Sequence, residues 1–425
     1  MSKVTRRDLL KGAAAAGAAV VAPRVLGAAS APEGSALNVG ILGAGDHGRH
    51  LLFQCMKLPG LRFRAVCDIW DFSRNYAVRL LKKYKHAATG YVDYREMLAK
   101  EKSLDAVIIA SPDGFHAAQA IACFEAGLNV YLEKEMALTI EGCRKVVQAA
   151  RKAGKLLQVG RQHRSNARYV KALEYIDRHK ALGRMVHVRG QWHGHRREKM
   201  DWPEKYTIDK ARLAAYGYDS MEQFRNWRFF SKFAAGEMAS LGSHQIDVFN
   251  WFLHAAPKAV YATGGLDYYD YYELYDNISC VYEWDYDWSG RKTAVRGNYE
   301  ILNTTEVGGF YETFTGTDGE ITISEIATRG GIWRDVTAPV AAWEEPLQGK
   351  AVKEYGTRAY GSIPATDTKR VYWHHLGNFF DAIRGKAKLA CPGEVGLVAA
   401  VSVLRAHEAM KAGKRLEFAP EDFNA

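Results

Sequence analysis

The sequence predicts an α/β domain built on a parallel, doubly wound sheet, followed by an α+β domain with an open, mostly antiparallel sheet. Three observations predict this. Strand and helix patterns alternate from Leu37 to Gly160, the alternation stops at Arg161, and strand-like segments dominate afterwards. The 425 residues, 48% hydrophobic and 25% charged, suit two domains of roughly 100–200 residues each. That composition excludes a disordered or fibrous chain. The six cysteines (Cys55, Cys67, Cys123, Cys143, Cys280 and Cys391) show no C-x-x-C spacing and read mostly as small buried hydrophobes.

The first 31 residues form a separate unit. Thr5-Arg6-Arg7-Asp8-Leu9-Leu10-Lys11 is followed by an Ala-rich apolar run from Gly12 to Ala22 and by the small residues Ala29-Ser30-Ala31. Paired arginines, a short apolar middle and a small-residue end make a processed export signal. The apolar run is about half of the roughly 20 residues a membrane-spanning helix needs, and no later segment reaches that length. No membrane association is therefore expected once the signal is removed. The motif resembles a twin-arginine signal, which implies a partner in the twin-arginine export machinery and a periplasmic or extracellular destination. Such proteins travel already folded, commonly with cofactor inside. An ordinary basic leader or a retained lipid-surface anchor is the alternative. Lys3, Arg6, Arg7, Lys11 and Arg24 against Asp8 supply part of the formal net charge of +10. Elsewhere basic and acidic residues interleave, so nucleic acid is not expected as a partner.

Residues 37–160 are expected to form the first domain. Leu37-Asn38-Val39-Gly40-Ile41-Leu42 has the character of a buried strand, and Gly43-Ala44-Gly45-Asp46-His47-Gly48 then opens an amphipathic helix. Glycines at this spacing allow a tight turn, close approach of backbone to a pyrophosphate, and close helix–strand packing. Free N–H groups at the helix start face the phosphates. A second strand, Phe63 to Cys67, ends in Asp68, where an acid would grip the adenosine ribose hydroxyls. A carboxylate there favours NAD over NADP, although Arg74 nearby leaves NADP open. The strand Ala106–Ala110 leads into Ser111-Pro112-Asp113-Gly114-Phe115-His116 and a helix, and the strand Asn129–Leu132 ends in Glu133-Lys134. Repeated β-α alternation implies a parallel sheet with its ligand beyond the carboxyl ends of the strands.

Behind the glycine motif, Ser111-Pro112, His116, Ala126-Gly127, Val130 and Glu133-Lys134 resemble the Gfo/Idh/MocA oxidoreductases, which include glucose–fructose oxidoreductase and inositol dehydrogenase. The resemblance implies a dinucleotide-binding Rossmann domain. Its cofactor would be held by Gly43, Gly45, Asp46, His47, Gly48, Asp68, Ser111, Pro112, His116, Glu133, Lys134 and Arg161. It also implies that Lys134 orients substrate and assists proton transfer. The family normally has Pro after that lysine. This chain has Glu135, which removes a rigid φ constraint and is expected to add a carboxylate near Lys134.

The substrate-binding and oligomerisation domain is expected over 161–370, entered through Gly160-Arg161-Gln162-His163-Arg164. Strands are expected at Met185–Trp192, Ala259–Gly264, Ile278–Tyr282, Lys292–Tyr299, Phe310–Thr315 and Gly319–Ile323, with helices near Tyr169–His179 and Ser240–Leu253. Closing helices are expected within 371–425, at Trp373–Ile383 and Gly393–Ala412. In Gly236 to Asp247, His244 and Asp247 lie three apart and share a helix face. A histidine paired with a carboxylate makes a reasonable general base. In the family this segment carries the catalytic His, often with an Asp four residues before it. That position is Ser240 here, so His244 with Asp247, or Glu237 reaching in, would have to suffice.

His163, Trp192, His193, Trp227, Arg228 and His244 form a mixture of rings and donors that suits a polyol pocket. His193 with His195 could bind metal instead, but no third ligand is evident nearby, so no metal is expected. The run Asp267 to Tyr272 reads as a loop or edge at a subunit contact, with saccharide stacking as the alternative. The expected activity is hydride transfer between tightly bound NAD, or NADP, and a carbinol carbon of a sugar, glycoside or polyol, in a homodimer or homotetramer. A closed redox cycle could serve sugar–sugar exchange or glycoside cleavage through transient C3 oxidation. A non-catalytic sugar- or nucleotide-binding relative is the reading from another class.

Overall fold

The structure is a computed structural model that describes residues 36–425 except 195–197, 272, 327, 346–351, 355, 362 and 364–369. The segment expected to be the export signal, together with His195 and Tyr272, lies outside the described residues.

The first sheet is six-stranded and wholly parallel, in the order β3-β2-β1-β4-β5-β6. Its strands are β1 (Leu37–Leu42), β2 (Leu61–Cys67), β3 (Thr89–Tyr91), β4 (Ala106–Ile109), β5 (Asn129–Leu132) and β6 (Leu157–Val159). The central strands β4 and β5 are buried along their whole length, as a sheet covered on both faces requires. Helices α1 (Asp46–Cys55), α2 (Asp71–Lys83), α3 (Tyr94–Lys100), α4 (Asp113–Glu125) and α5 (Ile140–Ala153) connect them. Strand order reverses between β1 and β4, which opens a crevice at their carboxyl ends.

The second sheet has ten strands and is antiparallel except for one pair. Its long members are β7 (Met185–His193), β8 (Pro257–Gly265), β9 (Asn277–Trp288) and β10 (Arg291–Leu302), joined by β11 (Phe310–Gly316), β12 (Gly319–Ile323) and β13 (Gly330–Asp335). Short strands β14 (Val352–Glu354), β15 (Thr357–Ala359) and β16 (Leu416–Glu417) form the edges. Alternation along β9 turns Ile278, Cys280, Tyr282 and Trp284 inward and leaves Ser279 and Val281 exposed. Beyond α6 (Ala167–Asp177), the inner face meets α7 (Ser243–Phe252), every residue of which is buried.

Two last helices close the fold, and the second of them bridges the two sheets. From α8 (Val371–Ile383), Leu376, Phe379 and Phe380 enter the core around β1, and each such burial contributes roughly 1.5–3 kcal/mol. Helix α9 (Gly393–Ala412) packs against both α5 and β8. All six cysteines are buried and unpaired, and burial pushes each thiol's pKa up. No helix among the described residues is long and apolar enough to cross a membrane.

Candidate active site

The glycine turn sits at the strand-order reversal. Gly43 has φ +86°, and a Cβ there would lie within 2.7 Å of the Ala110 and Ser111 backbones. A Cβ at Gly48 would lie 2.0 Å from the Gly43 carbonyl oxygen. These two glycines are demanded by close strand–helix packing. Gly45 differs: a Cβ there would meet nothing within 4 Å. The space it leaves belongs to a cavity of about 620 Å³, lined also by Asp46, His47, Asp68, Ser111 and Pro112. Asp68 Oδ2 accepts from the Ala44 N–H and Oδ1 from the Trp70 N–H, both at 2.8 Å. Burial raises the Asp68 pKa against the pull of these donors. Arg74 is committed to the Asp68 carbonyl at 2.8 Å and the Asp71 carboxylate at 2.6 Å. An open glycine, free N–H groups at the start of α1 and a carboxylate at the end of β2 fit a dinucleotide.

Three expected cofactor residues stand differently. The ring nitrogens of buried His116 bridge the carbonyl oxygens of Glu135 at 2.6 Å and Ser111 at 2.7 Å, so the residue clamps two loops. Buried Glu133 lies 3.1 Å from His47 Nε2; burial pushes its pKa up, but His47, Lys134 and His116 together hold it below the ordinary value. Arg161 is 1% exposed and absent from the cavity lining. Its guanidinium donates to both Glu135 oxygens at 3.0 Å and to the Ser243 carbonyl at 2.9 Å. Burial explains this correction, because an interior cation needs an equally buried anion. The same pair commits the Glu135 carboxylate to Arg161. The Lys134–Glu135 peptide is cis.

The Lys134 ammonium donates to the backbone carbonyl of Ser240, at the position where an acid was expected. Ser240 lies on a single π-helical turn, Met238–Gly242, that precedes α7. A small recess of about 30 Å³ adjoins them, lined by Lys134, Ser240, Glu237, Asp113, Trp227 and Arg228. The Arg228 guanidinium lies 4.3 Å over the Trp227 ring, and both residues also line the large cavity.

His244 follows one turn later, 7% exposed. Its Nδ1 is buried with no hydrogen-bond partner. Burial, then the charges of Lys134 and His163, hold its pKa well below the usual histidine value. Its expected support from Asp247 is absent: both Asp247 oxygens accept from Arg164 at 2.8 Å. A bidentate guanidinium satisfies a buried carboxylate better than a single imidazole N–H does.

His163 stacks on Tyr169 at 4.6 Å and lies 5.1 Å from His244, ring to ring. Its Nε2 is 2.9 Å from Glu325; burial works to lower its pKa, but Glu325 and Glu312 hold it above the ordinary value. Glu312 accepts from the Tyr169 hydroxyl at 2.8 Å, and burial pushes its pKa up to about 7. No motif marked Glu312 or Glu325; β11 and β12 bring them here. Trp192 stacks on Phe310 at 4.5 Å and faces His244 at 6.3 Å. His193 points the other way, as strand alternation requires. Its ring nitrogens meet the Val307 carbonyl at 2.6 Å and Glu300 at 3.0 Å, so the expected place in the substrate pocket is corrected.

The family profile described as "Oxidoreductase family, NAD-binding Rossmann fold" matches residues 37–161, and "GFO/IDH/MocA C-terminal domain" matches 169–309. A twin-arginine translocation signal profile matches residues 3–23. An inositol 2-dehydrogenase/D-chiro-inositol 3-dehydrogenase of Shouchella clausii is 34% identical over 180 residues, 41% of this chain and 48% of that protein. A glycosyl hydrolase family 109 protein of Shewanella baltica is 32% identical over 178 residues, 36% of this chain and 39% of that protein. The chain thus spans about half the length, or less, of the curated relatives it matches. The solved WlbA dehydrogenase of Bordetella pertussis, in complex with NADH and UDP-GlcNAcA, superposes with a TM-score of 0.66 at 19% identity, covering 90% of this chain and 99% of that one. On its two matched domains and its glycine-turn cavity, the chain belongs to the Gfo/Idh/MocA oxidoreductase family.

Proposed function

We propose that the protein transfers hydride between a tightly held NAD and a carbinol carbon of a sugar, glycoside or polyol. The observation that carries this reading is the neutral, buried imidazole of His244 within electrostatic reach of the Lys134 ammonium, which lines a recess whose Trp227 and Arg228 also line the glycine-turn cavity. When bound, the dinucleotide would take hydride at that carbon and, in a closed cycle, return it. Lys134 would hydrogen-bond the reacting oxygen and stabilise its developing negative charge. His244 would accept the hydroxyl proton on its ring and give it back, which a neutral imidazole can begin. Trp192, Trp227, Arg228 and His163 would position the sugar; Arg161, His116 and Arg164 would hold the loops that carry the acting groups.

Asp68 supports NAD over NADP, because its carboxylate repels a 2′-phosphate and Arg74 is already engaged. The signal profile supports export to the periplasm or beyond. Outside the cytoplasm little free NAD(H) would be available for exchange, which favours a retained cofactor and a redox-neutral cycle. The outward face of the second sheet, where Val186, Tyr261 and Val281 are exposed, supports a homodimer or homotetramer.

The likeness to glycosyl hydrolase family 109 favours a second reading, glycoside cleavage. A carbonyl at C3 acidifies the C2 proton, a base removes it as the aglycone leaves, water adds across the alkene, and reduction restores the alcohol. Purified protein given an aryl glycoside without added NAD separates the readings. Release of the phenol supports cleavage, and oxidation of one aldose with another as acceptor supports exchange. Neither reaction, with NAD bound, would support the non-catalytic relative.

A further inference from the structure

One wall of the large cavity comes from the second domain. Between β7 and the His244 segment the chain leaves the sheet, and residues 200–233 reach the crevice of the first. They are fixed there at several points. Trp70 Nε1 donates to the Tyr206 carbonyl at 2.6 Å, Arg212 pairs with Asp71 at 3.0 Å, and the Gly114 N–H donates to the Phe233 carbonyl at 3.0 Å. An apolar cluster joins Trp70 and Phe115 to Tyr218, Phe224 and Phe233.

Arg225 ends a short helix, Met221–Arg225, in this excursion and lines the cavity. Its guanidinium lies 4.6 Å over the Trp70 ring. It is within electrostatic reach of Asp46 at the start of α1 and of Asp68 at the end of β2. The Arg225 side chain makes no hydrogen bond or ion pair among the described residues, and its Nε is buried. Its neighbours are occupied: Glu222 holds Lys199, and Asn226 holds the Met200 backbone. A half-buried cation that lines a cavity and meets no anion at hydrogen-bonding distance among the described residues is poised for one.

We propose that Arg225 binds the diphosphate of the dinucleotide from the second domain's side, so that residues 200–233 form a strap across the coenzyme. This rests on the reading that the chain binds a dinucleotide. The α1 N-terminus offers N–H groups to one side of the diphosphate, and the planar guanidinium fork offers paired donors to the other. Asp46 and Asp68 flank the span from diphosphate to adenosine ribose, which is where Arg225 lies. Release of the coenzyme then requires the strap to lift from Trp70, and release should be slow.

The chemistry being recognised is phosphate oxygen, which the diphosphate shares with the 2′-phosphate of NADP, so the test separates the two. Wild type, Arg225→Gln and Arg225→Lys are stripped of cofactor, checked for equal melting temperature, and titrated with NAD, NADP and adenosine by tryptophan fluorescence. Arg225→Gln should weaken NAD and NADP alike, on the order of 10–100-fold, and Arg225→Lys should recover part of the loss. Adenosine affinity should not change, and labelled NAD should leave Arg225→Gln faster. Unchanged NAD affinity in a folded Arg225→Gln, or a loss confined to NADP, overturns the assignment while the functional reading stands. Wild type that binds no dinucleotide overturns both.

Discussion

At the scale of single residues, the account rests on Lys134 and His244. Lys134→Met should lower kcat at least about 100-fold while NAD binding stays near wild type, because the lost ammonium acts mainly on the developing alkoxide. The pH profile offers an independent check. His244 must be neutral to accept a proton, and burial holds its pKa well below the usual value. The kcat/KM profile should therefore stay flat as pH falls through 6.5 and decline only at more acidic pH; an acid limb centred near 6.5 contradicts the assignment. The glycine turn gives a second contrast. Gly48→Ala should unfold or strongly destabilise the first domain, since its Cβ would meet the Gly43 carbonyl at 2.0 Å. Gly45→Ala should melt like wild type and lose NAD affinity, because its Cβ would enter the cavity. The glycine turn was legible because short-range spacing carries it, whereas Lys134 and His244 were singled out by the family resemblance. The Asp247 partner was not: Arg164 lies 83 residues away, and no local pattern announces so distant an ion pair.

At the scale of elements, the linker turn at Gln162–Ser165 and helix α7 are held together by buried charge. Asp247→Asn should cost about 3–5 kcal/mol by leaving Arg164 buried and unpaired, read as a fall in denaturant midpoint. Glu312, on β11, makes a pH-dependent contribution. Its carboxyl is shifted from near 4.5 up to about 7 in the folded protein. Between those values the native state keeps a proton that the unfolded chain has lost, so stability falls as pH rises through that window. Glu312→Gln, which keeps an acceptor for Tyr169, should match wild type at pH 5 and melt higher at pH 8. Equal melting at both would contradict a buried, proton-holding carboxyl. The long strands and both closing helices were legible from period-2 and helical patterning, and α9 has the expected bounds, Gly393–Ala412. Strands β3 and β14 to β16, of two or three residues, were too short to show a period. The parallel pairing of β7 with β10 depends on where the chain returns, which patterning does not encode.

For the whole molecule, helix α9 ties the two sheets together, α8 closes the core of the first domain, and the dinucleotide-sized cavity draws walls from both domains. The two-domain architecture was legible because alternation gives way to strands at one point in the chain. The excursion over 200–233 was not, beyond Asn226-Trp227-Arg228, because an aromatic loop without periodicity carries no sign of the surface it will cover. The central claim, hydride exchange between a held dinucleotide and a carbinol carbon, is most directly tested by isotope transfer. Purified protein with NAD bound is incubated with each of a panel of perdeuterated aldoses, inositols and glycosides, and the dinucleotide is then released by denaturation and weighed. The account predicts that at least one of these compounds delivers a single deuterium to the dinucleotide in wild type and far less in Lys134→Met. A dinucleotide that stays bound and unlabelled across the whole panel would contradict it.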